Sequence, residues 1–408
     1  MNVRRSAAML AAATAVIGAA APAVAADPSP SASQALPAAL YGGTDPTYDG
    51  VWRQSLALLA QHTVGVKPAA KSVAWLTGQQ CSSGAFAPYR ADTSTACGPK
   101  LMVDTNNTAA AVQALAALGG HDAVTGKAVA WLKSVQNKDG GWGYTPGGAS
   151  DTNSTSVVVG ALTAAGEKPQ DVLKGEQGPY DALVKLALPC EGSDAGAFAF
   201  QPDKKGELAA NADATAAGVV GALGQGLVVE PAKQAEAATC SDSGYPSPQQ
   251  AAANGAAYLT KALAKDGHLT SALPGSTDQP DHGNTADAVV ALAAQGQTAE
   301  AKKSLEWLER NSSAWAAQSG PAAYAQLIFA AHATGTDPRD FGGADLVKQL
   351  NATGPAPQTA TAENEADAKD DSGSDSGGSD VWWMVGAGLA AGAGVGFLLS
   401  SRRKRQQP

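Results

Sequence analysis

Aromatic side chains are scarce in this chain: Trp, Tyr and Phe supply 5% of its 408 residues. Histidine is scarcer still. His62, His121, His268, His282 and His332 are too scattered for a nucleophilic triad, and no Gly-x-Ser-x-Gly elbow accompanies them. The four cysteines form no Cys-x-x-Cys pair and have no histidine at ligand spacing, so the reading contains no metal site. Basic residues are outnumbered, 28 Lys and Arg against 37 Asp and Glu, for a net charge of −9. Without a basic patch ahead of the last eight residues, nucleic acid is excluded as a partner. Period-two alternation is nearly absent, which removes half-buried sheet from the fold classes.

The two long apolar stretches lie at the ends. Arg4 and Arg5 precede an Ala/Val/Ile run that stops at Ala23-Val24-Ala25, the layout of a secretory signal over residues 1–26. The twenty uncharged residues Val381–Ser400 match the length of a membrane-spanning helix. Arg402, Arg403, Lys404 and Arg405 follow in a basic tail, residues 401–408, which stays cytoplasmic. Residues 27–45 are Pro/Ser/Ala-rich and read as a flexible segment. Residues 351–380 turn Pro/Thr-rich and then acidic, as expected of a disordered stalk. These ends imply a single-pass protein of the cell membrane whose N-terminal domain is extracellular. In that compartment an even number of cysteines pairs. Of three possible pairings, Cys81–Cys97 and Cys190–Cys240 are expected, because each brackets a loop between helices.

Residues 46–350 carry a repeat of about fifty residues made of two helices. Trp75-Leu76, Trp131-Leu132, Tyr258-Leu259 and Trp307-Leu308 mark first helices. A turn holding Phe86, Trp142 or Leu269 follows the first three, and Phe198 fills that place after a less regular first helix, Tyr180 to Leu188. Second helices open at Asp104-Thr-Asn-Asn-Thr108, Asp151-Thr-Asn-Ser-Thr155, Asn211-Ala-Asp-Ala-Thr215 and Asp281-His-Gly-Asn-Thr285, and each ends in Ala-Leu. Hairpins of this kind bury their faces only by stacking. About twelve helices are expected. Inward-facing ones start near Pro46, Asp104, Asp151, Asn211, Asp281 and Gly320; outward-facing ones start near Pro68, Asp122, Gln177, Pro248, Glu300 and Pro338.

Gln80-x-x-x-Gly84-x-Phe86 and Gln136-x-x-x-Gly140-x-Trp142 resemble the QW motifs of squalene and terpene cyclases. The wider pattern resembles the prenyltransferase and squalene-cyclase repeat, the terpenoid cyclase-like superfamily. That resemblance implies an all-α fold, an (α/α)6 toroid of about six hairpins, with the stalk and the C-terminal membrane helix appended. Fold alone does not select a function. The cyclase acid run Asp-x-Asp-Asp-Thr-Ala is matched here by Asp104-Thr105-Asn106-Asn107-Thr108-Ala109, in which both later acids are amides without a proton to give. Asn211-Ala-Asp213-Ala-Thr215-Ala216 keeps one carboxylate without its neighbour. The Asp, Cys and His zinc set of the prenyltransferases and the Gly-Cys-Gly-Glu-Gln thioester motif are both missing.

The expectation is therefore a membrane-anchored extracellular binding protein with no catalytic residue and no resident cofactor. By likeness to the helical domain of transcobalamin and intrinsic factor, its ligand is a cobalamin-like or other small molecule, or else a cell-envelope partner. The expected ligand-binding residues are Asp104, Asn107, Trp142, Tyr144, Asp151, Asn153, Asp281, His282 and Asn284. They gather at inner-helix starts, where a concave mouth would lie. Their simpler use is helix capping. The alternative is an enzyme acting on an isoprenoid or polysaccharide within the cavity.

Overall fold

The computed structural model describes residues 36–242, 247–272 and 279–359, all within a unit that ends at Thr359. Thirteen α-helices occur among the described residues: α1 (Gly50–Thr63), α2 (Ala70–Gly78), α3 (Thr105–Leu118), α4 (Asp122–Ser134), α5 (Thr152–Ala164), α6 (Pro179–Lys185), α7 (Ala212–Ala222), α8 (Pro248–Leu263), α9 (His282–Ala294), α10 (Thr298–Asn311), α11 (Ser313–Ser319), α12 (Pro321–Ala333) and α13 (Leu346–Ala352). Two short antiparallel strands, Leu269–Thr270 and Pro280–Asp281, precede α9. The regular structure of the described residues is thus almost all helical, as the periodicity implies.

Six helices form a ring. Helix α1 packs on α3, α3 on α5, α5 on α7, α7 on α9, α9 on α12, and α12 returns to α1. Their sequences explain this position. Helix α12 reads PAAYAQLIFAAHA and buries ten residues, including Leu327, Ile328 and Phe329. A helix apolar on all sides belongs inside. Helices α2, α4, α6, α8, α10 and α13 each pack on the ring helix that precedes them in the chain. They are more polar: α10 buries only Ala301, Ser304, Leu305 and Leu308.

The hairpins are joined the same way in four units. The aromatic or apolar residue of the Gly-rich turn donates its backbone N–H to a threonine one turn into the ring helix. Phe86 pairs with Thr108 (2.9 Å), Trp142 with Thr155 (3.1 Å), Phe198 with Thr215 (2.9 Å) and Leu269 with Thr285 (3.0 Å). The ring helices open on the expected caps: Asp104, Asp151, Asn211 and Asp281 accept the N–H of Asn107, Ser154, Ala214 and Asn284. The QW glutamines tie each unit to the next. Gln80 Nε2 donates to the carbonyls of Gly84 and Val124, and Gln136 Nε2 to those of Gly140 and Val172. Gly140 has φ +89°, and a Cβ there would stand 2.2 Å from the carbonyl oxygen of Gly178, so the turn and the close approach both require glycine. Both expected disulfides, Cys81–Cys97 and Cys190–Cys240, are formed.

Three expectations need correction. Helix α11 is additional to the twelve. The last outer helix begins at Leu346 rather than near Pro338, because Pro338 to Asp345 is taken up by a turn in which Phe341 and Ala344 pair. The folded unit also reaches beyond residues 46–350. Tyr41 is fully buried, its hydroxyl bonding Gln61 and the carbonyl of Pro355, and Gly42 N–H donates to Thr353 O. Residues 41–42 and 353–355 therefore seal the α12–α1 joint. The signal, the stalk beyond Thr359, the helix over 381–400 and the basic tail lie outside the described residues. Among the described residues, no helix is long and apolar enough to cross a membrane.

Candidate functional site

The ring encloses a cavity of about 240 Å³. Its polar lining comes from matching places on successive helices. Asn106, Asn153 and Asp213 are each the second residue of α3, α5 and α7, and Asp287 and Gln326 are each the sixth of α9 and α12. Trp52, Leu56, Val157, Val220, Val290 and Phe329 supply apolar walls. The segment Gln225–Leu227, just after α7, lines it too. That segment is pinned by Gln113 of α3, whose Oε1 accepts the N–H of Leu227 (2.8 Å) and whose Nε2 donates to Val157 O (3.0 Å). A close approach between Gly226 and Gly160 of α5 lets it lie against the ring.

Two carboxyl groups face this cavity. Asn153 Nδ2 donates to Asp213 Oδ2 at 2.8 Å. Gln326 Nε2 donates to both oxygens of Asp287 at 3.3 and 3.2 Å. Burial pushes Asp287 up to about 7; the charge of Asp213 adds to the rise, the Gln326 bond opposes it, and Asp281 contributes a little more. Asp213 is raised as well, first by burial, against the bond from Asn153 and with help from Asp281. Two such groups titrate as a pair. A carboxylic acid that keeps its proton near neutral pH, walled by apolar side chains, is a general acid in waiting. Four further polar atoms of the lining are buried without a hydrogen-bond partner: Asn106 Oδ1, Asn153 Oδ1, Ser156 Oγ and Gln225 Oε1. Among the described residues no cluster of His, Cys, Asp and Glu has the arrangement to hold a metal ion.

The nine residues expected to bind a ligand divide sharply. Only Asn153 lines the cavity. Asp104, Asp151 and Asp281 are spent on capping their helices, and Asn107 and Asn284 donate their amides back to Asp104 (2.8 Å) and Asp281 (2.8 Å). Burial nevertheless pushes Asp104 up to about 6, against the hydrogen bonds from Asn107. Trp142 is corrected from ligand residue to core residue: it is fully buried, and its Nε1 donates to Leu132 O at 2.7 Å. Tyr144 is 46% exposed, away from the lining. His282 lies between Trp307 and Trp315, with ring centroids 5.1 and 5.5 Å away, and its Nε2 meets the Asn311 carbonyl. The reading also missed Asp287, Gln326, Ser156 and Gln225, and set Asp213 aside. A signal existed for two of these. Asp287 and Gln326 interrupt ring helices that are otherwise apolar between their first and last turns, and both side chains line the cavity.

No family model matches the chain. A stretch of 80 residues, 20% of this chain, is 39% identical to drimenyl diphosphate synthase of Streptantibioticus cattleyicolor and spans 13% of that protein. Among solved structures, ent-copalyl diphosphate synthase from Streptomyces platensis aligns with a TM-score of 0.48 at 16% identity, over 70% of this chain and 50% of that one. A sugar epimerase from a ruminal bacterium aligns with a TM-score of 0.42 at 14% identity, over 66% of this chain and 79% of that one. The expectation of a non-catalytic binding protein is corrected by the sequence match, which is to a synthase and favours the alternative of an enzyme; the expected membrane anchor lies outside the described residues. The resemblance to the terpenoid cyclase-like superfamily is borne out by that match.

Proposed function

We propose that this chain is an enzyme that protonates an isoprenoid in the central cavity of an (α/α)6 toroid. The observation that carries the reading is the Asp213–Asp287 pair, two carboxyl groups of raised pKa set among apolar walls. Asp213 stands in its unit where the second acid of the cyclase run stands in the Asp104 unit, a place filled there by Asn106. On the adjacent ring helix, Asp287 replaces the missing acidic neighbour. Asp287 carries the proton, and Asp213, held by Asn153, keeps it there by making a second negative charge in the cavity unfavourable. Breaking the Asp287 O–H bond and forming a C–H bond on an alkene carbon leaves a carbocation, which Trp52 and Phe329 are placed to face. Loss of a proton from a neighbouring carbon re-forms an alkene and restores the acid. Apolar walls favour this substrate over a polysaccharide, which would need polar groups on every side. The cavity lies below the roughly 300–1,000 Å³ usual for small-molecule sites, so a short isoprenoid fits better than a triterpene. The likeness to a diphosphate synthase supports the same class. Two disulfides support an oxidising compartment for the folded unit.

The test is conversion of C10 and C15 isoprenoid alcohols, diphosphates and hydrocarbons by purified protein, read by gas chromatography and mass spectrometry. Asp287→Asn and Asp213→Asn should each lower conversion by at least about 100-fold, the scale of a lost general acid. Equal turnover by the double variant and the native chain would remove the acid role.

A further inference from the structure

The unpartnered atoms of the cavity point to a narrower ligand class. The oxygens Asn106 Oδ1, Asn153 Oδ1 and Gln225 Oε1 are acceptors only, and Ser156 Oγ, on a side chain only 6% exposed, also lacks a partner. Buried acceptors left empty are costly, so a bound molecule that brings hydrogen-bond donors is strongly preferred over one that brings more acceptors. The charges agree. Among the described residues no Lys, Arg or His lines the cavity, whereas Asp213 and Asp287 do. Helix N-termini ordinarily attract anions, but three of those in the ring are already met by carboxylates, Asp104, Asp151 and Asp281. Arg53 in α1 is committed elsewhere, donating to Asp49, Thr44 Oγ1 and Thr44 O. A diphosphate therefore meets acceptors and carboxyl groups with no cationic side chain among the described residues of the lining to neutralise it.

Ser156 and Gln225 stand apart from the acid pair in what holds them. Ser156 is the fifth residue of α5 and packs where Gly221 of α7 leaves space; a Cβ on that glycine would lie 2.4 Å from Ser156 Oγ. Gln225 belongs to the segment that Gln113 pins against α5. Neither contact satisfies the side-chain oxygens.

We infer that the cavity selects an uncharged isoprenoid bearing a hydroxyl group, and that Ser156 and Gln225 recognise that hydroxyl. The inference rests on the isoprenoid reading of the cavity. It is tested by tryptophan fluorescence titration, since Trp52 lines the site, with three C10 probes: the alcohol geraniol, geranyl diphosphate and the hydrocarbon myrcene. Geraniol should bind at least about ten-fold more tightly than either of the others. Ser156→Ala and Gln225→Leu should each weaken geraniol about five-fold, the scale of one hydrogen bond, and leave myrcene unchanged. Thermal melting of both variants checks that they fold as the native chain does, and Asn106→Leu repeats the comparison at a second unpartnered acceptor. Tightest binding by the diphosphate, or equal binding of alcohol and hydrocarbon, overturns the inference while leaving the isoprenoid reading intact. Equal losses for geraniol and myrcene in the variants overturn the assignment of Ser156 and Gln225. Binding of none of the three overturns the isoprenoid reading itself.

Discussion

Burial of Asp287 lets it hold a proton up to about pH 7 and also makes its ionisation costly to the fold. Its carboxyl is raised from 3.8 to about 7, so between those values the folded chain keeps a proton that the unfolded chain has released. A state that binds more protons loses ground as they are withdrawn. Stability should therefore fall as pH rises across this window, and the loss from this group should level off above it. Asp104, raised to about 6, and Asp213 and Asp151, raised by burial, act in the same direction. In thermal melts between pH 4.5 and 8.5, Asp287→Asn should flatten the decline and melt above the native chain at the alkaline end. A parallel decline in both proteins would show that Asp287 is not its source. At this scale little of the site was legible. Asp, Asn and Thr at a helix start read alike whether they cap the helix or face a cavity. Asp104 and Asn106 are two residues apart; one turns back to its own helix and the other lines the cavity. Side-chain direction depends on which face meets the neighbouring helix, and that is a tertiary fact.

Among elements, the joint from Trp131 to Thr155 shows how a short motif builds a repeat. Gln136 satisfies Gly140 O in its own turn and Val172 O ahead of α6. Gln136→Ala should cost about 1–3 kcal/mol, because two buried carbonyls lose their donor. Gly140→Ala should cost more than about 2 kcal/mol, since it adds left-handed strain to the clash with Gly178. Chemical denaturation of both variants checks these figures, and a change below ~0.5 kcal/mol in either would remove its residue from the joint. The hairpins were largely legible here. Ring-helix starts at Asp104, Asp151, Asn211 and Asp281 follow from capping chemistry that acts within four residues, and the disulfide pairing follows from loops that hairpins close. Helix α11 was not, because Ser313–Ser319 has neither a side-chain cap nor a strong apolar stripe and buries only Ala316.

The whole unit depends on closing the ring between α12 and α1. Tyr41 fills that joint, against Gly354, where a Cβ would come within 2.4 Å of its ring. Tyr41→Ala should cost about 3–5 kcal/mol, as for other large buried rings, whereas Tyr41→Phe should cost only about 1 kcal/mol for the bonds to Gln61 and Pro355. Equal small losses in equilibrium unfolding would mean that the seam is not what holds the ring shut. The local repeat, its caps, its QW turns and its paired cysteines were determined by the sequence alone, because each is enforced by interactions within one hairpin or between adjacent ones. The closure of six helices into a ring, the seam made by residues 41 and 353–355, and the meeting of Asp213 with Asp287 were decided only by the tertiary structure. Residues 74 positions apart on α7 and α9 share one cavity because the ring turns their faces inward together. Once water is displaced there, two ordinary aspartates acquire the raised pKa values on which the proposed chemistry depends.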